Sequence, residues 1–178
     1  ESGVNAVTAE FLRGAQALCR EKDLLLLLDE VQVGFGRAGE MAGWRSIIPG
    51  DEIQPDGISW AKAIGSGFPL GSFWINDRRE PGKVLGPGTH GTTYGGSPLA
   101  CAVGIATLRT ILDEKLCDNA KTRGEAIAAA GRAWNHPLIQ EVRQLGLFIG
   151  WELNAEAFKA KAGDKPASIF LAQKLLDA

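Results

Sequence analysis

The sequence predicts an α/β domain in which helices flank a mostly parallel sheet. Three observations carry this reading. An amphipathic stretch runs from Ala9 to Lys22, the continuous apolar run Leu24 to Leu28 follows it, and two more short apolar segments come after glycine- and proline-rich connections. A strand entered from a helix after a short break implies layered architecture. A short run that is apolar at every position suits a parallel strand buried on both faces better than a surface helix.

Taken in order, Thr8 is placed to cap the first helix, and Phe11, Leu12, Ala15, Leu18 and Cys19 fall on one face at helical spacing. Residues 24–28 form the first strand and run into Asp29-Glu30. From Gly34 to Gly57 the chain is rich in Gly, Pro and charge, with a helical turn expected near Trp44–Ile48. Gly57–Trp60 and Gly71–Asn76 read as the second and third strands, and Arg78–Gly88 as a polar loop. Ser97-Pro98 is a strong helix start, a capping serine before a proline at the first helical position. That helix is expected to reach about Asp113, and the small residues Ala100, Ala102, Gly104 and Ala106 imply close packing. A second helix is expected from about Leu116 to Trp134. Residues 139–143 and 147–153 then read as two strands joined through Gly146, followed by a charged loop and a terminal helix. A domain boundary is placed near Asn135-His136-Pro137, dividing 1–134 from 135–178.

The bulk numbers narrow the function classes. With 178 residues, a net charge of -2 and 22% charged residues, the chain has the make-up of an ordinary globular domain and no reason to seek a polyanion. No basic run suggests nucleic acid, and no apolar stretch approaches the roughly 20 residues that span a bilayer. Three widely spaced cysteines fit free thiols in a reducing cytoplasm, and two histidines without ligand spacing argue against structural zinc. The chain starts at Glu1, holds its one methionine at position 41, and ends inside a helical pattern, so it is expected to be a piece of a longer protein.

Two candidate sites compete. Gly34-Phe35-Gly36-Arg37-Ala38-Gly39 matches G-x-G-x-x-G, with Asp56 placed 20 residues beyond Gly36. The fingerprint requires those glycines to open a helix that holds a pyrophosphate. Here Glu40-Met41-Ala42-Gly43 and the following Pro49 make a poor helix, and Asp56 precedes a strand instead of ending one, so the dinucleotide reading is set aside.

Asp29 and Lys62 make the better pair. Asp29 ends one expected strand and Lys62 lies just beyond another, and open parallel sheets collect ligands at the carboxyl ends of their strands. Taken singly, Asp29 reads as a strand-end turn acid and Lys62 as an exposed loop lysine. Their matching positions, with His90-Gly91-Thr92-Thr93-Tyr94-Gly95-Gly96 downstream, favour a joint role. An amine, an acid and an anion cradle are what a pyridoxal phosphate enzyme needs. A carboxylate against a pyridine nitrogen favours the protonated ring, and a lysine near an apolar pocket supplies a neutral amine. Backbone N–H groups and threonine hydroxyls suit phosphate. His90 reads as a packing or capping residue.

Asp29-Glu30-Val31-Gln32-Val33-Gly34-Phe35-Gly36-Arg37-Ala38-Gly39, Ala61-Lys62 with its glycines, and His90 to Ala100 resemble the class III aminotransferases in order and spacing. The resemblance implies the fold type I architecture of pyridoxal 5'-phosphate enzymes, here most of a cofactor-binding large domain plus the start of a small C-terminal domain. It implies that Lys62 bonds the cofactor and later carries the substrate proton. Asp29 would pair with the pyridine nitrogen, Val31 pack on the ring, and Gln32 bond the phenolic oxygen. Thr93, with Thr92, would reach the phosphate bound by the other subunit of a cytoplasmic homodimer. The wording is closest to the acetylornithine and ornithine branch, which implies transfer of an amino group from such a donor to 2-oxoglutarate in arginine metabolism. Other readings remain: a 4-aminobutyrate aminotransferase, an aminomutase, or a non-catalytic fragment. Ser97, Trp60 and Ala38 depart from residues usual in the family, and Trp60, two residues from Lys62, bears on substrate preference. The family's first phosphate loop and ring-stacking aromatic would precede residue 1, so the segment alone is expected not to turn over.

Overall fold

The computed structural model describes residues 2–79, 85–163 and 165–177. Helix α1, Ala9–Glu21, begins where the sequence places it: Thr8 is extended and its hydroxyl accepts from the Phe11 N–H at 3.1 Å. The helix buries Leu12 and Gln16 against strand β1 and the loop beyond it, in a core with Leu26, Trp44, Ile48 and Ile53. Each such aliphatic side chain contributes about 1.5–3 kcal/mol when fully removed from water. Phe11 and Leu18, expected on the buried face, are exposed. The helical period gave the direction of the apolar stripe, but the surface it meets is narrower than the stripe.

Three short strands form one sheet in the order β1-β2-β3: β1 is Leu27–Asp29, β2 is Gly57–Trp60 and β3 is Ser72–Ile75. Strands β1 and β2 are parallel, with Leu27 opposite Gly57 and Asp29 opposite Ser59. Strand β3 joins β2 antiparallel. The first strand therefore starts three residues later than the leucine run suggests. Leu24 and Leu25, which precede β1, and Leu27 within it are exposed, and Leu26 is the buried member of the run. The connection from β1 to β2 holds a 3-10 turn at Gly43–Ser46, and a second 3-10 turn, Lys62–Gly65, follows β2.

Helix α2, Pro98–Asp113, starts at the expected cap, where Ser97 Oγ accepts from the Ala100 N–H at 3.3 Å. It packs against the Lys62–Gly65 turn and against helix α3, Leu116–Ala133. Strands β4 (Ile139–Leu145) and β5 (Phe148–Leu153) pair as an antiparallel hairpin. The charged stretch after β5, expected to be a loop, is instead helix α4, Ala155–Ala162. Asn154 Oδ1 caps it from the Ala157 N–H, and buried Phe158 meets Phe170 of helix α5, Ala167–Leu176, at 6.4 Å between ring centres. Its many alanines and long-chain polar residues carry strong helix propensity, which outweighed the charge. Part of the polar loop expected over 78–88 lies outside the described residues.

At the hairpin turn three backbones meet. Gly146 has φ +59°, and a side chain there would strike the backbone of Arg37, Ala38 and Gly39. A Cβ on Gly124 of α3 would strike the carbonyl of Gly146. The Leu147 N–H donates to the Arg37 carbonyl at 2.9 Å, joining the hairpin to the loop that follows β1. Gly124→Ala should therefore destabilise the protein by about 1–3 kcal/mol through overpacking, despite the roughly 1 kcal/mol that alanine gains over glycine inside a helix. Chemical denaturation measures it; an unchanged or raised stability would show that the three backbones do not meet.

Candidate active site

The parallel register places the candidate residues. Asp29 closes β1 directly opposite Ser59, and Lys62 stands three residues beyond Ser59 at the same end of the sheet. Three residues of extended chain span at most about 11 Å and adjacent strands lie about 4.8 Å apart. The two Cα atoms are thus held within about 16 Å, and both side chains are exposed.

Asp29 is fixed on one side only. Its Oδ1 accepts from the Val31 N–H at 3.0 Å and from Ser59 Oγ at 3.2 Å, and Oδ2 takes part in neither bond. A carboxylate oriented through one oxygen keeps the other for a ring N–H. Lys62 has φ +48°, a left-handed conformation that costs a residue with a Cβ roughly 1–2 kcal/mol. Such a conformation persists where the surroundings over-determine it, commonly at functional sites. Lys62 lines a cavity of about 720 Å³ with Phe35, Arg37, Ala63, Thr107 and Leu147. Asp29 lines a different hollow of about 230 Å³ with Glu30, Val33 and Phe148. Neither hollow contains both residues. The turn at 31–40 contributes to the wall of each hollow.

Val31 is half-buried and Gln32 exposed at the start of that turn. No helix opens at Gly34–Gly39, in keeping with setting the dinucleotide reading aside. Thr92 and Thr93 are exposed just ahead of α2, where His90 is exposed as well. The structure thus brings Asp29, Val31, Ser59 and Lys62 to one edge, while Thr92 and Thr93 stand apart in an open approach to α2.

Glu30 escaped the sequence reading. It is 3% exposed, and its carboxylate accepts from the amides of Gly43 (2.8 Å) and Trp44 (2.9 Å) and from Trp60 Nε1 (3.2 Å). A buried donor that loses its acceptor costs about 1–3 kcal/mol. Successive residues at a strand end face opposite ways, so the neighbour of an outward acid faces inward; that alternation was the available signal. Trp60, expected to bear on the substrate, turns its indole to Glu30 and to the edge of Phe35, with ring centres 5.6 Å apart, and is not part of the Lys62 cavity wall. Ser97, another departure, still caps its helix. Ala38 is 1% exposed beneath the hairpin turn, a place that suits its small side chain.

Comparison with known proteins gives this arrangement a context. A family model for class III aminotransferases matches residues 1–174. The chain is 41% identical over 150 residues to the acetylornithine aminotransferase of Streptomyces coelicolor, covering 84% of this chain and 36% of that protein. It is 42% identical over 160 residues to the ornithine aminotransferase of Bacillus subtilis, covering 88% of this chain and 38% of that one. The solved ornithine aminotransferase of Toxoplasma gondii, described with partial occupancy of pyridoxal phosphate at its active site, superposes with a TM-score of 0.76 at 36% identity, covering 87% of this chain and 36% of that chain. The chain spans well under half the length of these relatives. Its architecture is that of fold type I pyridoxal-phosphate-dependent enzymes. More narrowly, it belongs to the class III aminotransferase family, whose members work with pyridoxal phosphate.

Near the site, burial and then the Glu40 carboxylate push the Cys117 thiol above its usual range. A raised thiol pKa leaves less thiolate, the reactive form. Cys117 should therefore be alkylated more slowly than exposed Cys101 at neutral pH. Peptide mapping after iodoacetamide at several pH values checks this; equal rates throughout would contradict it.

Proposed function

We propose that the protein is an aminotransferase that moves an amino group from an acetylornithine- or ornithine-like donor to 2-oxoglutarate, with pyridoxal phosphate held between Asp29 and Lys62. The observation that carries this reading is the parallel β1–β2 register, which sets a half-fixed carboxylate and a conformationally strained lysine at one sheet edge. Those residues suit the cofactor: an acceptor oxygen for a ring N–H, an exposed amine and a half-buried Val31. When bound, pyridoxal phosphate supplies an electron-withdrawing ring and a carbonyl carbon that carries the amino group.

The chain's own groups do the rest. Lys62 Nζ would anchor the cofactor and, as a free amine, would accept the proton from the donor carbon that bears the transferred amino group. Asp29, oriented by the Val31 N–H and Ser59 Oγ, holds the proton on the ring nitrogen. Val31 backs the ring face, and Gln32 donates to its phenolic oxygen. Thr92 and Thr93, exposed before α2, serve the phosphate in the other subunit of a homodimer. Residues 1–134 form the cofactor-binding part and residues 135–178 the start of a smaller domain. We place the enzyme in the cytoplasm, in arginine metabolism, with small-molecule substrates and neither nucleic acid nor membrane as partner; among the described residues no helix is long and apolar enough to cross a membrane.

The experiment uses the full-length gene product. Borohydride reduction of the loaded protein, followed by peptide mass mapping, should place the cofactor on Lys62, and Lys62→Ala should remove the adduct; a label elsewhere would refute the assignment. Asp29→Asn should retain cofactor and lose about a hundredfold or more in kcat, the scale of removing one preorganised electrostatic group. Near-normal turnover would remove Asp29 from the mechanism. In a donor panel with 2-oxoglutarate, acetylornithine or ornithine should react best. Should both be inert while 4-aminobutyrate turns over, the substrate assignment is wrong.

A further inference from the structure

Resting on the Lys62 and Asp29 assignments above, we propose that Glu30 is a positioning residue that sets the spacing of Asp29 and Lys62, acting through the Trp60 indole. Every polar group of Glu30 is engaged. Its N–H donates to the Ser59 carbonyl at 3.0 Å, which prolongs the β1–β2 ladder one step past Asp29. Its carbonyl accepts from the Gly34 N–H at 3.0 Å, which closes the first turn of the loop. Its two carboxylate oxygens divide the remaining donors: Oε1 accepts from Trp44, and Oε2 from Gly43 and Trp60.

One side chain thus joins three segments: the residue after Asp29, the residue two before Lys62, and the 3-10 turn at Gly43–Ser46. The Trp60 ring is clamped further. Phe35 meets it edge-on, and a Cβ on Gly34 would lie 2.6 Å from Trp60 Cδ1, so only glycine admits the indole there. Residues 29 and 62 are exposed, while the side chains of residues 30 and 60 are hydrogen-bonded to each other. The bonded pair fixes the strand ends from which the exposed pair projects. It also supplies what the left-handed backbone of Lys62 requires, a rigid attachment immediately ahead of it.

The links differ in what they hold, which makes them separable. Trp60→Phe deletes one N–H, keeps a ring against Phe35, and leaves the two amide bonds of Glu30 intact. Glu30→Gln keeps the shape but replaces one acceptor oxygen by a donor. Both variants, in the full-length protein loaded with pyridoxal phosphate, are compared with Phe158→Ala, a change at the α4–α5 contact, where Phe158 packs on Phe170 and lines neither the Asp29 nor the Lys62 hollow. The decisive readout is the pH midpoint of the cofactor's visible absorption, which depends on how the amine and the acid sit about the ring, with kcat and KM beside it.

Trp60→Phe and Glu30→Gln should move the midpoint, and should lower kcat by about tenfold to a hundredfold, the scale of an ångström's misplacement, with KM little changed. Phe158→Ala should lower Tm and leave the midpoint where it was. An unmoved midpoint in both variants, or an equal movement in Phe158→Ala, overturns the positioning role while the Lys62 assignment stands. If the unsubstituted protein shows no absorption band that Lys62→Ala abolishes, the assignment itself fails and the positioning role falls with it.

Discussion

The pairing of β1 with β2 is the interaction on which the rest depends. Parallel strands run out at the same end, so pairing Asp29 with Ser59 decides at one stroke which side chains share the open edge. A slip of one residue would turn Asp29 inward and Glu30 outward, because side chains alternate along a strand. The register is held by more than the ladder. Ser59 Oγ bonds Asp29, the Glu30 N–H bonds Ser59, and the Leu26 N–H bonds the Asp56 carboxylate at 2.9 Å. The core of Leu12, Leu26, Trp44, Ile48 and Ile53 then seats α1 beneath β1.

The two carboxylates of Asp29-Glu30 divide the work by orientation. Asp29 is exposed and half-fixed, which suits a group that meets a ligand. Glu30 is buried with three donors on it, which suits a group that holds the scaffold. A buried carboxylate is tolerable only with such satisfaction, and here it bonds backbone amides of the Gly43–Ser46 turn. Farther out, the loop from Val31 to Glu40 is pinned by the β4–β5 turn through Leu147 and Arg37, and by an ion pair between Lys121 and Glu40 at 2.5 Å. The loop from Val31 to Glu40 therefore touches both sheets of the described structure.

Much of this was legible in the sequence, for physical reasons that differ from element to element. Thr8 and Ser97-Pro98 announced their helices because capping chemistry is local. Asp29 and Lys62 stood out because each follows a short apolar run at a strand end. Burial was less legible. The leucine run looked fully buried, yet Leu24, Leu25 and Leu27 are exposed, because what covers such a run is set by tertiary packing that local composition does not encode. The helix at Ala155–Ala162 was obscured by its charges, although Asn154 and the interspersed Ala155, Ala157, Ala160 and Ala162 were present to mark it. Glu30 and Trp60 were invisible as a pair because their hydrogen bond spans 30 residues and rests on tertiary register.

The central claim is that Asp29 and Lys62 address the same ring. The measurement that tests it most directly is a crystal structure of the full-length protein grown with pyridoxal phosphate. The account predicts Lys62 Nζ covalently joined to the cofactor and Asp29 Oδ2 within ordinary hydrogen-bonding distance, about 2.6–3.2 Å, of the ring nitrogen. A cofactor bound with its ring nitrogen facing another group, or seated inside the cavity beside Arg37 and Thr107 away from Asp29, would contradict it.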